Sequence, residues 1–328
     1  MPIEFEFEID KGFHFAEAFA ARFDANVAHN RAVLPKALGE GFIQEVFLSN
    51  GLFLCIHHYW LNDELILRRM PTSSSAMLTM KFDCRRIPVD QAELPHEPLF
   101  AGSNGCEVEL GTGNFFTELI VPAKQHINFL VVGASRQTIL GILDLQEEGC
   151  PIESLLKESP SFVLHEVMTQ EMERTLKQLS QVDQTAPLAA LLYKNKAEEL
   201  IYLLFSKLMH RAETASITVD QADAQKIYKL RAAMLADLSL APELSELSSM
   251  VGISLTKMKQ LFRQIFGDSI YNYYQSARMN EAARLLAVQS VSETGYQLGF
   301  TNLSHFGRLF EKHFNIKPKK YKDGLELR

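Results

Sequence analysis

VSETGYQLGFTNLSHFGRLFEKHFNIKPKKY, residues Val291–Tyr321, carries the punctuation that decides the fold of this end of the chain. Ser290 and Glu293 stand at capping-box spacing, which predicts a helix start, because each side chain can satisfy a backbone N–H near the other. That helix runs out at Leu298. Gly299 supplies a turn, and Asn302 can cap a last helix from Leu303 to Phe314. Phe306, Leu309, Phe310 and Phe314 fall on one face of it, leaving Ser304, Arg308, Glu311 and Lys312 on the others. A short helix, a glycine turn and a second amphipathic helix predict a helix-turn-helix.

Moving outward, the preceding stretch LSSMVGISLTKMKQLFRQIFGDSIYNYYQSARMNEAARLL, Leu247–Leu286, repeats the same punctuation. Pro242 opens a short helix with Leu244, Leu247 and Val251 on one face, Gly252 ends it, and Ser254 can cap the next. The helix from Leu255 to Phe266 buries Met258, Leu261, Phe262 and Ile265, and Thr256, Lys257, Lys259, Gln260 and Arg263 lie elsewhere on its surface. Gly267 stops it, and Ser269 starts a connecting helix from Ile270 to Ala287. A helix-turn-helix that occurs twice with a helix between is more than ordinary packing requires.

On these two stretches the sequence resembles the AraC/XylS family of transcription regulators. The most specific residues are Gly299–Phe300, the S-x-F-x-R-x-F run from Ser304 to Phe310, and the terminal I-K-P-x-x-Y from Ile316 to Tyr321. The resemblance covers about a third of the chain. It implies two recognition helices entering successive major grooves of double-stranded DNA, and grooves recur about every 34 Å. Carried over by position, it makes Thr256, Lys259 and Gln260 in the first reader, and Asn302, Ser304 and Arg308 in the second, the base-edge candidates. Lys and Arg suit guanine; Asn and Gln suit adenine. Ser254, Lys257, Arg263, Lys312, Lys319 and Lys320 are cast as phosphate contacts, which position without specifying. Gln260 departs from the arginine common in the first reader, so base preference there is not borrowed. Thr294 and Gly295 stand where an Ile-Ala pair is usual, and an interior helical glycine costs about 1 kcal/mol relative to alanine, so the second motif is expected to be looser unless bound to DNA.

The charge agrees with a polyanion partner at this end only. Residues 221–328 hold 15 Lys and Arg against 10 Asp and Glu, whereas residues 1–220 hold 18 against 30. At 328 residues the chain is expected to form two domains. They are placed at 1–212 for sensing and oligomerisation and at 222–328 for DNA binding, with a linker at 213–221, where ETASITVDQ (Glu213–Gln221) is small and polar. From Gly41 to Gly133 short apolar runs alternate with Gly, Pro, Asn and Ser: Phe42–Leu48, Leu52–Trp60, Leu65–Met70, Ala76–Cys84, Phe115–Val121 and Ile127–Val132. Hairpins are expected at Ser49–Gly51, Leu61–Asp63 and Gly111–Asn114. This texture predicts a small barrel or sandwich. Helical periodicity follows, with a helical hairpin over Pro151–Val182 and a helix from Leu188 to His210. The fold class expected is therefore α+β.

In the resemblance, the strand-rich half becomes a cupin-like effector-binding barrel and the following helices mediate dimerisation. NKAEELIYLLFSKL (Asn195–Leu208) and the run Ile227–Ser254 also look like the branch that responds to ferric siderophores. An effector pocket would draw on Phe side chains, Tyr59, Trp60, Arg68 and Arg69, with no residue chosen. His57 and His58 are adjacent, so on a strand they face opposite ways and do not grip one metal; no metal or other cofactor is expected. The four cysteines, Cys55, Cys84, Cys106 and Cys150, lack C-x-x-C spacing and read as buried thiols of a cytoplasmic protein. No cysteine sits in a nucleophile motif, so no catalytic residue is expected. Apolar runs fall short of the roughly 20 residues that cross a bilayer. The function read here is an effector-responsive DNA-binding regulator, as monomer or homodimer, that contacts RNA polymerase. The alternative is a ligand-free regulator controlled by a protein bound to its N-terminal half.

Overall fold

In the computed structural model, residues 3–9, 12–72, 76–83, 106–145, 150–158, 161–211 and 219–326 are described. The chain divides into two compact units, Met1–Gln221 and Ala222–Arg328. Residues 212–218, most of the expected linker, lie outside the described residues.

The first unit is β-rich. Strands β1 (Ile3–Glu8), β6 (Leu65–Met70) and β9 (Thr117–Val121) form a three-stranded sheet in the order β1-β6-β9, with β1 and β6 parallel. The second sheet contains β2 (Asn26–Ala28), β3 (Arg31–Val33), β4 (Gly39–Phe47), β5 (Phe53–Leu61), β7 (Met77–Asp83), β8 (Glu107–Thr112), β10 (His126–Ser135) and β11 (Val163–Val167). Its order is β11-β8-β7-β10-β5-β4-β3-β2. No hydrogen-bonded pairing closes either sheet into a barrel among the described residues, so the expected cupin-like barrel is seen only as a β-rich two-sheet domain. Strand β5 shows why the larger sheet is central. Phe53, Cys55, His57 and Tyr59 take one face and Leu54, Ile56 and His58 the other, and both faces are largely buried. One face shares a core with the small sheet and with helix α1 (Phe15–Phe23), through Phe5, Phe15, Phe19, Leu67, Tyr59 and Phe129. His57 and His58 do point to opposite faces, His58 bonding Asn128.

Three expectations need correction. Ser49–Gly51 turns β4 into β5, but Leu61–Asp63 and Gly111–Asn114 carry the chain from one sheet to the other rather than closing hairpins. Turn residues reverse a chain without choosing its partner, and these partners are remote. The supposed helical hairpin over Pro151–Val182 is helix α3 (Pro151–Glu158), strand β11, and helix α4 (Gln170–Ser180). Val163–Val167 pairs antiparallel with β8, and that edge pairing overrides the helical spacing of a short apolar run. Cys55 and Cys150 are free buried thiols, but Cys106 is disulfide-bonded, which sequence separation could not show. Cys84 lies outside the described residues. Helices α2 (Arg136–Leu143) and α5 (Ala189–Met209) complete the unit.

The second unit is all helical: α6 (Gln221–Ala236), α7 (Leu244–Val251), α8 (Leu255–Phe266), α9 (Ile270–Leu285), α10 (Val291–Gln297), α11 (Leu303–Phe314) and α12 (Pro318–Glu326). Arg231 of α6 donates to the Tyr273 hydroxyl at 2.6 Å and lies over the Phe266 ring, tying α6 to α8 and α9. Met279, Ala282 and Leu286 of the connecting segment pack with Phe300, Phe306 and Phe310. Among the described residues no helix is long and apolar enough to cross a membrane.

Candidate nucleic-acid interface

Each helix-turn-helix is built by its caps. Val251 is followed by Gly252 at φ 65°, a left-handed conformation that glycine adopts without a Cβ penalty. Ser254 then accepts the Lys257 N–H to start α8. In the second motif Ser290 and Glu293 form the reciprocal capping box, Gly299 turns at φ 75°, and Asn302 Oδ1 accepts the N–H groups of Ser304 and His305. Helix α8 buries Met258, Leu261, Phe262, Ile265 and Phe266; α11 buries Phe306 and Phe310 and half-buries Leu309 and Phe314. The terminal I-K-P-x-x-Y acts from within: Tyr321 of α12 packs its ring on Phe310 and Phe314 at 5.4 and 5.6 Å.

All twelve predicted contact residues are exposed: Ser254, Thr256, Lys257, Lys259, Gln260 and Arg263 on α8 or its cap, and Asn302, Ser304, Arg308, Lys312, Lys319 and Lys320 on α11, its cap and α12. Thr256 and Gln260 are one turn apart on α8, as are Ser304 and Arg308 on α11, so each pair shares a face. Two of the candidates carry structural duties. Asn302 Oδ1 is occupied by the cap, which leaves its Nδ2 donor for a base edge rather than the two-point adenine contact. Lys257 Nζ lies 2.7 Å from Asp223 Oδ2 at the start of α6, an acid that competes with any phosphate for it.

What holds the two motifs together was not read from the sequence. Arg278 of α9 is almost fully buried, donates to the Leu298 carbonyl and lies 3.9 Å over the Phe300 ring, so the connecting helix grips the second turn. Tyr274, one turn earlier, donates its hydroxyl to the Leu238 and Leu240 carbonyls ahead of the first motif. A Cβ on Gly299 would meet the Ser239 carbonyl oxygen at 1.9 Å, so that loop and the second turn touch backbone to backbone. The signal that could have found this is an arginine on the apolar side of α9 followed four residues after a tyrosine. At Gly295 α10 and α11 pack closely: a Cβ there would meet the end of the Leu303 side chain at 2.6 Å.

The β-rich unit holds a cavity of about 100 Å³ between its two sheets. Phenylalanines line it, with His57, Arg69, Thr79, Lys81 and Glu109 as polar groups. Of the pocket residues named from sequence, Arg69 lines it, whereas Tyr59 and Trp60 do not, and Arg68 is on the outer side, paired with Glu4, Glu6 and Glu118. Neighbouring positions on β6 face opposite ways, which a choice by residue type ignores.

Comparison with known proteins agrees with the C-terminal geometry. Residues 247–324 match the family described as helix-turn-helix domain. An uncharacterised HTH-type transcriptional regulator of Pseudoalteromonas carrageenovora is 33% identical over 72 residues, 22% of this chain and 43% of that protein. The HTH-type transcriptional regulator GbdR of Pseudomonas aeruginosa is 30% identical over 104 residues, 31% of this chain and 28% of that protein. This chain thus spans less than half the length of either relative. A solved transcriptional regulator with an AraC-type DNA-binding domain, from Chromobacterium violaceum, is 26% identical and covers 32% of this chain and 96% of its own, with a TM-score of 0.30. The duplicated, capped motif and the family match fall on the same residues, so residues 247–324 of this chain form a helix-turn-helix domain.

Proposed function

We propose that this protein regulates transcription by placing α8 and α11 in successive major grooves of double-stranded DNA, under the control of a small effector held by its N-terminal β-rich domain. The observation that carries the reading is the duplication: two side-chain-capped second helices, each burying one apolar stripe and exposing polar and basic side chains. Thr256, Lys259, Gln260, Asn302, Ser304 and Arg308 read base edges, and Ser254, Lys257, Arg263, Lys312, Lys319 and Lys320 hold phosphates. The two-sheet domain serves as the cupin-like sensor. The exposed Leu191, Leu192 and Tyr202 of α5 are where a second copy would pack to make a homodimer, and RNA polymerase is the partner at the promoter. The protein acts in the cytoplasm and does no covalent chemistry.

The test is selection of genomic fragments by the full-length protein, at two salt concentrations, beside Arg308→Ala. A lost bidentate base contact costs about 1–3 kcal/mol and relaxes preference at one position. Specific fragments that Arg308→Ala binds five- to hundredfold more weakly are expected. Binding that ignores sequence and merely weakens with salt would sink the reading.

A further inference from the structure

The cavity between the sheets has walls and a floor of different chemistry. Phe7, Phe13, Phe15, Phe53 and Phe129 supply the apolar walls, from β1, the segment before α1, α1 itself, β5 and β10. Across them lie side chains of β5, β7 and β8 that an apolar core would not contain: His57, Lys81 and Glu109. Positions 81 and 109 are register partners, so their side chains share one face of the sheet.

Two polar groups here keep unused hydrogen-bonding capacity among the described residues. Lys81 has three N–H donors, and its one ion pair among the described residues is to Glu109 at 3.5 Å, longer than a close charge-assisted bond. The imidazole of His57 is buried, and its Nδ1 has no hydrogen-bond partner among the described residues. Its Nε2 lies 3.2 Å from the Cys55 sulfur. Burial pushes the Cys55 thiol well up, so it keeps its proton and can give it to Nε2, which places the ring proton on Nδ1. Buried polar groups in folded proteins normally have partners. The local field favours negative charge: burial alone would raise the Glu109 carboxyl, but Lys81, His165 and Arg69 outweigh it and hold the group down at about 2. The other two wall acids are already engaged, Glu45 accepting the Phe15 and Ala16 N–H groups at 2.9 and 3.1 Å and Glu118 paired with Arg68 at 2.8 Å.

We propose that this cavity binds a small apolar monocarboxylate, its carboxylate taken by the Lys81 ammonium and the His57 Nδ1–H and its body lying among the phenylalanines. The proposal rests on the reading that the N-terminal domain is the sensor, and it names that sensor's ligand class. Size sets the upper limit. An apolar cavity of about 150 Å³ takes a benzene, so at about 100 Å³ this one suits a short chain rather than a ring and lies far below the ferric siderophore that the sequence resemblance pointed to.

The experiment is calorimetric titration of the full-length protein with hexanoate, phenylacetate and hexanamide, beside a DNA-binding assay on a selected fragment. Expected are saturable binding of hexanoate, weaker binding of the bulkier phenylacetate, at least tenfold weaker binding of the amide, and a loss like the amide's in Lys81→Met that Lys81→Arg restores. The amide control uses the natural protein, so a misfolded variant does not decide the matter. Amide binding as tight as carboxylate binding would overturn the ligand class while leaving the sensor reading intact. No binding of any of the three probes would overturn the site itself. Carboxylate binding that depends on Lys81 but leaves DNA affinity unchanged would uphold the site and remove the regulatory reading.

Discussion

Gly299 and Gly252 occupy equivalent turns, and their surroundings make them unequal. Both have positive φ, which costs a non-glycine residue roughly 1–2 kcal/mol. A Cβ on Gly252 meets nothing within 4 Å, whereas on Gly299 it strikes the Ser239 carbonyl oxygen. Gly252→Ala is therefore expected to lose about 1 kcal/mol and to keep two-site DNA binding. Gly299→Ala should lose more than about 2 kcal/mol and abolish it; denaturant unfolding followed by circular dichroism, with DNA titration, compares them. Thr294 gives a change of opposite sign. Its hydroxyl is fully buried with no hydrogen-bond partner among the described residues, and such a group costs about 1–3 kcal/mol. Thr294→Val keeps the shape and is expected to raise stability by about 1 kcal/mol; an unchanged or lowered unfolding midpoint would refute this. The residue scale is also where sequence reading served the interface best and the cavity least. Ser254, Ser290, Glu293 and Asn302 announce their caps by local spacing alone. Lys81, His57 and Glu109 meet only because three strands, separated by up to 52 positions, share one sheet face.

At the scale of elements, α8 and α11 were legible to their end residues, because a capping side chain opens each and a glycine or asparagine in the left-handed region closes each. Strands β1–β3, helix α1 and strand β11 were not, since their reason for existing is the partner they pair or pack with. Helix α12 was seen only as a motif, and its role in sealing α11 needed the ring contacts of Tyr321. Helix α6 adds a control that no motif suggested. Its Asp223 holds Lys257, so a phosphate must displace a carboxylate to gain that lysine. The pair is half exposed, and such pairs are worth little to stability, about 0–1 kcal/mol. Asp223→Asn is accordingly expected to leave the unfolding midpoint nearly unchanged. It should tighten DNA binding severalfold and steepen the salt dependence by about one released counterion; equal salt slopes for the two proteins would contradict the competition.

For the whole molecule, the single tryptophan, Trp60, sits on β5 and so reports on the β-rich unit alone. Burial, with Lys81 nearby, pushes the His57 imidazole down to about 3, from 6.5 in an unfolded chain. The unfolded state therefore takes up this proton first, and stability falls as pH drops from about 6.5 towards 3, by up to about 1.4 kcal/mol per unit. Glu109, held at about 2 against 4.5, adds loss in the same direction below pH 4.5. Tryptophan-monitored unfolding at pH 7.5, 6.0 and 5.0 should show this slope, and His57→Gln should flatten it above pH 4.5. The contact of the Ser239 backbone with Gly299 has a consequence for descent. A loop ahead of the first motif forms part of the seat of the second, so the two motifs are built as one piece. A recombinant that took its first motif from a cousin would bring a foreign loop to that seat, so on the function proposed above new operators would be reached by point changes on α8 and α11 rather than by exchange of halves.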